Sequence, residues 1–501
     1  MNLESDVIVV GAGNAALCAA LAAHHGGAKV TVLEAAPEAE SGGNTRFTAG
    51  AMRVAYNGVD DLSQLMPDLS QEELDRTDFG TYSADDFFAD IARVTQYKAN
   101  PDLTELLVSH SFPTLLWMRE QGVRFAPIYG RQAFKIDGKF KFWGGLTIEA
   151  YGGGPGLIEA LTAACRRSGV EILHDCRVEA LVRDEEAVTG VVTRHRGKRT
   201  TIGAKAVVLA AGGFQANAEW RARYLGSGWD LAKVRGTRFN QGDGLRMALE
   251  AGALASGNWS GCHAVGWERN APEFGDLAVG DNFQKHSYPF GIMLNARGRR
   301  FVDEGADFRN YTYAKYGRVI LEQPGQFAWQ IFDSKVSHLL RDEYRIRQVT
   351  KVSAETLEEL VGKLADVDGK QALKEINAYN EAIDTGTPFN PNIKDGRATI
   401  GLDVRKSNWA NRIDKPPYEA FAVTCGITFT FGGLSIDSSS RVQDVGGKPI
   451  PGLFAAGEMV GGIFYFNYPG GSGLTSGAVF GRIAGRSAAS FVKGVDIKDA
   501  A

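Results

Sequence analysis

Cysteine is scarce in this chain: 501 residues hold five, Cys18, Cys165, Cys176, Cys262 and Cys425, with no C-x-x-C pair and no C-x-x-C-H haem site. That spacing excludes a disulfide framework, an iron–sulfur cluster and c-type haem, and no metal site is expected. Long apolar runs are also missing. None reaches the roughly 18 to 20 residues of a spanning helix, and the apolar stretch after Gly13 is interrupted by His24, His25, Gly26 and Gly27. Runs of like charge are absent and the formal net charge is -4, so neither a nucleic acid nor an anionic membrane is an expected partner. The chain enters Val7–Val10 without a basic leader, a signal-peptide core or a twin-arginine pair, and a cytoplasmic location is expected. With 44% apolar and 23% charged residues, the remainder is an ordinary globular composition long enough for two or three domains. Any electrons handled here must sit on a bound organic cofactor.

The start of the chain is punctuated by glycine. Asp6–Val10 reads as a buried strand, Gly11-Ala12-Gly13-Asn14-Ala15-Ala16 as a turn opening the helix Leu17–Ala23, and Lys29–Leu33 as a second strand ending on Glu34. Gly11 permits the bend, Gly13 lets a pyrophosphate approach the backbone, and small Ala16 allows close helix–strand packing. The helix N-terminus offers its partial positive charge to the phosphates. Glu34, about 20 residues onward, is placed to accept from ribose hydroxyls, and its charge disfavours a 2′-phosphate. A second glycine turn, Ser41-Gly42-Gly43-Asn44-Thr45, carries hydroxyl and amide groups that suit a ribityl chain and flavin ring. This points to FAD rather than NAD.

Two more apolar strands run into glycines: Ala206–Leu209 before Ala210-Ala211-Gly212-Gly213, and Gly452–Ala455 before Ala456-Gly457-Glu458. Strands so far apart predict one parallel sheet assembled from distant segments around an insertion. The expected fold is α/β. A Rossmann-like FAD-binding domain of glutathione-reductase type is expected from residues 1–256 and 426–501, with an inserted α+β capping domain at 257–425. Within the insertion, Ala354–Ala382 places Leu357, Leu360, Leu364, Leu373 and Ile376 at helical spacing. Gly257, Gly426, Gly432 and Gly433 stand near the two connections as candidate hinges. Pro469–Leu474, including Gly473 and Leu474, supplies another close backbone approach to the cofactor, and residues 493–501 read as a frayed tail.

Gly43-Asn44-Thr45, Ala211-Gly212-Gly213-Phe214, Gly242-Asp243-Gly244, Arg300–Glu304 and Ala456-Gly457-Glu458, in order along nearly the whole chain, resemble the fumarate reductase/succinate dehydrogenase flavoprotein family. Phe308–Tyr313 and Asn467–Gly473 are most similar to its tricarballylate dehydrogenase group. The resemblance implies FAD, with Asp243 among its contacts. Covalently flavinylated members attach the cofactor through a histidine beside the Gly-Gly turn. Asn44-Thr45-Arg46-Phe47-Thr48 contains none, so non-covalent binding is expected.

Hydride exchange between flavin N5 and a carbon–carbon bond flanked by carboxylates needs a cationic cradle, a polarising group and an acid/base. The resemblance implies His263 as a carboxylate ligand and Arg309 as the acid/base. Arginine is a poor base unless desolvated and coupled to a carboxylate, which Glu304 or Asp307 is expected to provide. Two departures bear on the substrate. Thr428-Phe429-Thr430-Phe431 stands where fumarate reductases place a histidine, and Tyr468 where they place an arginine. The expected activity is therefore oxidation of a larger carboxylate, of the tricarballylate to cis-aconitate type, with a separate electron-transfer protein or quinone-linked partner taking the electrons. Tyr468-Pro469-Gly470 also resembles 3-ketosteroid dehydrogenases, which gives a ketone-activated alternative with Tyr311 or Tyr313 nearby. A flavin-binding protein without catalysis is the non-enzymatic alternative.

Overall fold

The computed structural model describes residues 4–143 and 145–495. Its central sheet runs Glu171–Leu173, Val30–Leu33, Glu4–Val10 and Lys198–Leu209, all parallel, with Pro449–Ala455 joining Lys198–Leu209 in the same direction. The three distant strands expected from the sequence thus meet in one sheet. Lys198–Leu209 starts earlier than its apolar core suggested. Its first half is mostly exposed and pairs antiparallel with Val188–His195, whereas Ala206–Leu209 is wholly buried between parallel neighbours.

The first helix, Asn14–His25, is buried along most of its length by the closing helix, Ser472–Lys493. The two lie close because Gly481 and Gly485 face the first helix. A Cβ at those positions would come 2.4 Å from the Ala15 carbonyl and 2.2 Å from that of Ala19. Sequence reading gave no helix here. The tail it placed at 493–501 begins at the end of this helix, and residues 496–501 lie outside those described.

The cap is built on a second sheet whose longest strand, Tyr418–Leu434, pairs with Phe327–Phe332, Lys351–Ala354 and Ala255–Glu268. The single helix expected over Ala354–Ala382 is two, Leu357–Lys363 and Gly369–Glu381. The side chains of Thr356 and Asp368 each cap an N-terminus, and Asp368 therefore starts a new helix instead of continuing the old one. Leu360, Leu364 and Ile376 still bury against Trp329 and Ile331, as their spacing required.

The boundaries expected at 256/257 and 425/426 fall inside two strands, not in linkers. Ala255–Glu268 and Tyr418–Leu434 carry the chain into and out of the cap side by side, paired from Ala255↔Leu434 to Glu268↔Val423 with irregularities between Asn258 and Cys262 and between His263 and Ala264. Of the four candidate hinge glycines, Gly257 has φ +82° beside the first irregularity. The other three are small for packing reasons: a Cβ would strike Trp267 at Gly426, Trp259 at Gly432, and the Gly461 amide at Gly433.

Candidate active site

One cavity runs from the first glycine turn, between the sheet and the closing helix, to the inner face of the cap. At its sheet end, Gly11 has φ +105° and its Cα lies so near Ala210 that a Cβ would meet that carbonyl at 2.4 Å. Gly13 is the N-cap of Asn14–His25, and Gly471 that of Ser472–Lys493; neither helix has a side-chain cap. Two sets of helix N–H groups therefore open onto the same space, a pairing suited to a pyrophosphate at one end and an electron-rich ring at the other. Gly11, Gly13, Asn14, Ala15, Gly43, Asn44, Thr45, Ala211, Gly212, Gly457, Gly473 and Leu474 all line it.

The buried Glu34 carboxylate accepts from the Ala12 amide at 2.7 Å and the Ala36 amide at 2.8 Å at the mouth of the groove. Burial raises its pKa, against the pull of those amides. Asp243 lines the same end in a two-pronged pair with Arg177, at 2.9 and 2.8 Å. Other expected contacts act from behind the wall. Ala16 and Gly42 do not line the cavity, and Gly213 is small to admit Glu458 and Thr430, which a Cβ would meet at 2.2 Å. Glu458 itself lines it and accepts from the Thr430 amide at 2.7 Å; burial pushes its carboxyl up to about 7. The Asn44 amide is committed within the protein, donating to the Thr428 carbonyl and accepting from the Thr237 amide at 3.0 Å. These open glycines, two uncapped helix ends and a buried strand-end carboxylate fit FAD.

At the cap end, His263 sits on Ala255–Glu268 just before its second irregularity. It is buried, and both ring nitrogens lack a partner among the described residues. Burial, then Arg235, holds its pKa well below the usual histidine value, so the ring is neutral. It rests 4.8 to 5.2 Å from the rings of Tyr468, Tyr313 and Phe429. Tyr313 and Tyr468 hydrogen-bond each other through their hydroxyls.

Arg309 lines this chamber too, buried at the start of the turn Arg309–Tyr311. It donates to the Arg131 carbonyl at 2.9 Å and meets His286 Nδ1 at 3.2 Å, while its Nε is unpartnered among the described residues. A guanidinium only donates, so Nδ1 is the acceptor and His286 is neutral. Neither carboxylate expected to couple to it, Glu304 or Asp307, pairs with Arg309. Glu304 is buried against Arg300, at 3.1 and 2.6 Å, and accepts from the Met293 amide; it does not line the cavity. Asp307 pairs outward with Arg93 at 2.9 Å and Lys394 at 3.5 Å. Burial, with the Arg131 cation beside it, lowers the pKa of Arg309. Tyr311 likewise turns from the cavity, towards Asp90 and Arg53. Sequence reasoning missed Arg131, Arg235 and Asp281, which line the chamber together.

A family model described as an FAD binding domain matches residues 6–474. A probable fumarate reductase, Ifc3, of Shewanella frigidimarina is 31% identical over 497 residues, covering 97% of this chain and 75% of its own. The chain belongs to the FAD-binding flavoproteins of the fumarate reductase and succinate dehydrogenase type. It is an FAD-dependent oxidoreductase from a family that acts on CH–CH bonds. The open form of a flavocytochrome c3 fumarate reductase superposes with a TM-score of 0.72 at 28% identity, over 98% of this chain and 78% of that one. The fold is shared with the 3-ketosteroid Δ1-dehydrogenase of Sterolibacterium denitrificans, TM-score 0.74 at 22% identity, over 98% of this chain and 100% of that one. No helix among the described residues is long and apolar enough to cross a membrane.

Proposed function

We propose that this flavoprotein oxidises or reduces a CH–CH bond next to a carboxylate, in a reaction of the tricarballylate to cis-aconitate type. The observation that carries the reading is Arg309: a buried guanidinium, bonded to no carboxylate among the described residues, that opens onto the same cavity as the flavin groove. The groove lined by Gly11, Gly13, Thr45 and Gly457 would hold FAD, which would supply hydride exchange with one substrate carbon. Arg309 holds or takes the proton of the neighbouring carbon, and its lowered pKa eases that exchange. Neutral His263 presents a ring nitrogen to a substrate carboxylate, and the wall of Phe429, Tyr313 and Tyr468 keeps water from the reacting carbons. A separate electron carrier completes the cycle.

The Tyr313–Tyr468 pair favours a second reading, in which a phenol donates to a ketone oxygen and acidifies the adjacent C–H. One experiment separates the two: anaerobic bleaching of the flavin band by tricarballylate and succinate against cyclohexanone, with reoxidation of reduced enzyme by cis-aconitate and fumarate against cyclohexenone. The carboxylate reading expects only the acids to exchange electrons. Reaction with the ketone pair alone would overturn it.

A further inference from the structure

The histidine and arginine expected by resemblance are absent from Thr428–Phe431 and position 468, yet the cap end of the cavity is strongly basic. Arg131, Arg235 and Arg309 line it, and Asp281 is the carboxylate that faces them. Arg131 NH1 donates to Asp281 at 2.8 Å, and Arg235 grips the same carboxylate through Nε at 2.9 Å and NH2 at 2.5 Å. One carboxylate thus braces two guanidiniums, and each keeps N–H groups in reserve. His263 and His286 are neutral. Behind the wall, Arg341 and Glu343 offset each other, and Glu149, near Arg131, is pushed by burial up to about 7. The lining thus sets three guanidiniums against one carboxylate in a largely desolvated space, an arrangement that costs free energy unless an anion enters.

Resting on the carboxylate reading above, we infer that Arg131 and Arg235, braced on Asp281, form a second anion subsite that receives a carboxylate distal to the reacting bond, making the substrate a polycarboxylate. Arg131 reaches this subsite from outside the cap. It lies in the short helix Tyr129–Gln132, which leads into the hairpin Ala133–Ile136 and Lys139–Phe142. That hairpin holds the cap through the Phe134–Phe290 contact at 5.3 Å and the bond from Asn392 Nδ2 to the Phe134 carbonyl at 3.1 Å. The Arg131 carbonyl also accepts from Arg309, so one residue supports both the distal subsite and the acid/base.

The test titrates flavin-loaded enzyme with acrylate, fumarate and cis-aconitate, which carry one, two and three carboxylates, and reads dissociation constants from the flavin spectrum. Wild type is expected to bind the di- and tricarboxylate at least about tenfold more tightly than the monocarboxylate, the worth of one charge-assisted pair. Arg131→Gln should abolish that preference, and Arg131→Lys should restore part of it. Should Arg131→Gln fail to hold flavin, the comparison of Arg131→Lys with wild type carries the test, with a preference reduced but above one expected. An unchanged preference in either variant would overturn the subsite. The underlying reading fails separately, if reduced enzyme saturated with these acids transfers electrons to none of them.

Discussion

At the scale of residues, the division of labour between Arg309 and His263 is open to measurement. Arg309→Lys keeps a cation but loses the planar fork, and single-turnover flavin reduction should slow by about 100-fold or more, the scale of a lost acid/base, with substrate affinity less affected. His263→Ala should show the opposite balance. Because a neutral Arg309 accepts the proton, dehydrogenation should quicken as pH rises and alkene reduction should slow. Wild-type rates in Arg309→Lys would pass the proton to Tyr468. A second titration concerns stability. Burial lifts Glu149 to about 7, above its unfolded value near 4.5. The fold therefore binds an extra proton in that window, and this contribution, complete below the unfolded pKa, is lost as pH climbs through about 7. Thermal melting should show the advantage of wild type over Glu149→Gln shrinking between about pH 5 and about pH 8; a constant difference would contradict it. His263, Arg309 and Tyr468, each picked from a local motif, line one cavity. Glu304 was misassigned because nearness along the chain stood in for direction in space. Arg131, Arg235 and Asp281 carry no local signature: they converge from segments far apart in the chain, and only the folded chain brings them together.

At the scale of elements, the strands of the central sheet were readable from apolar runs that stop at glycine, and the first helix from its turn. The closing helix was not, since six of its first fifteen residues are Gly or Ser and propensity disfavours them in a helix. Those small residues serve packing, and this makes a prediction. Gly481→Ala improves helix propensity, yet it sets a Cβ 2.4 Å from the Ala15 carbonyl and pushes the two helices apart. The expected outcome is destabilisation of about 1 to 3 kcal/mol, as for other overpacked contacts, together with weaker FAD retention, because both uncapped N-termini shift. Denaturant melts and flavin release measure the two effects; a more stable Gly481→Ala would show that propensity governs.

At the scale of the whole molecule, the family places one FAD in the long cavity, and among its lining residues the only histidine is His263, in the cap. Acid precipitation should therefore release the yellow colour into the supernatant, and colour kept by the washed pellet would reveal a covalent bond. The α/β architecture and the insertion were legible from three strand–glycine signatures, whereas the way the cap is attached was not, because a boundary was sought in loops. The chain crosses between the two parts twice, on one antiparallel ribbon. Ala255 and Leu434 are direct partners, and the Ser435 amide donates to the Leu254 carbonyl at 2.8 Å. Entry and exit are thus about 5 Å apart, close enough for a short turn to join them. The cap is in this sense a cassette: a different one can be spliced onto the same two rungs, changing what the flavin meets while the cofactor groove is left alone. Arg131, Arg235 and Tyr468, which lie outside those rungs, would stay behind to greet each newcomer.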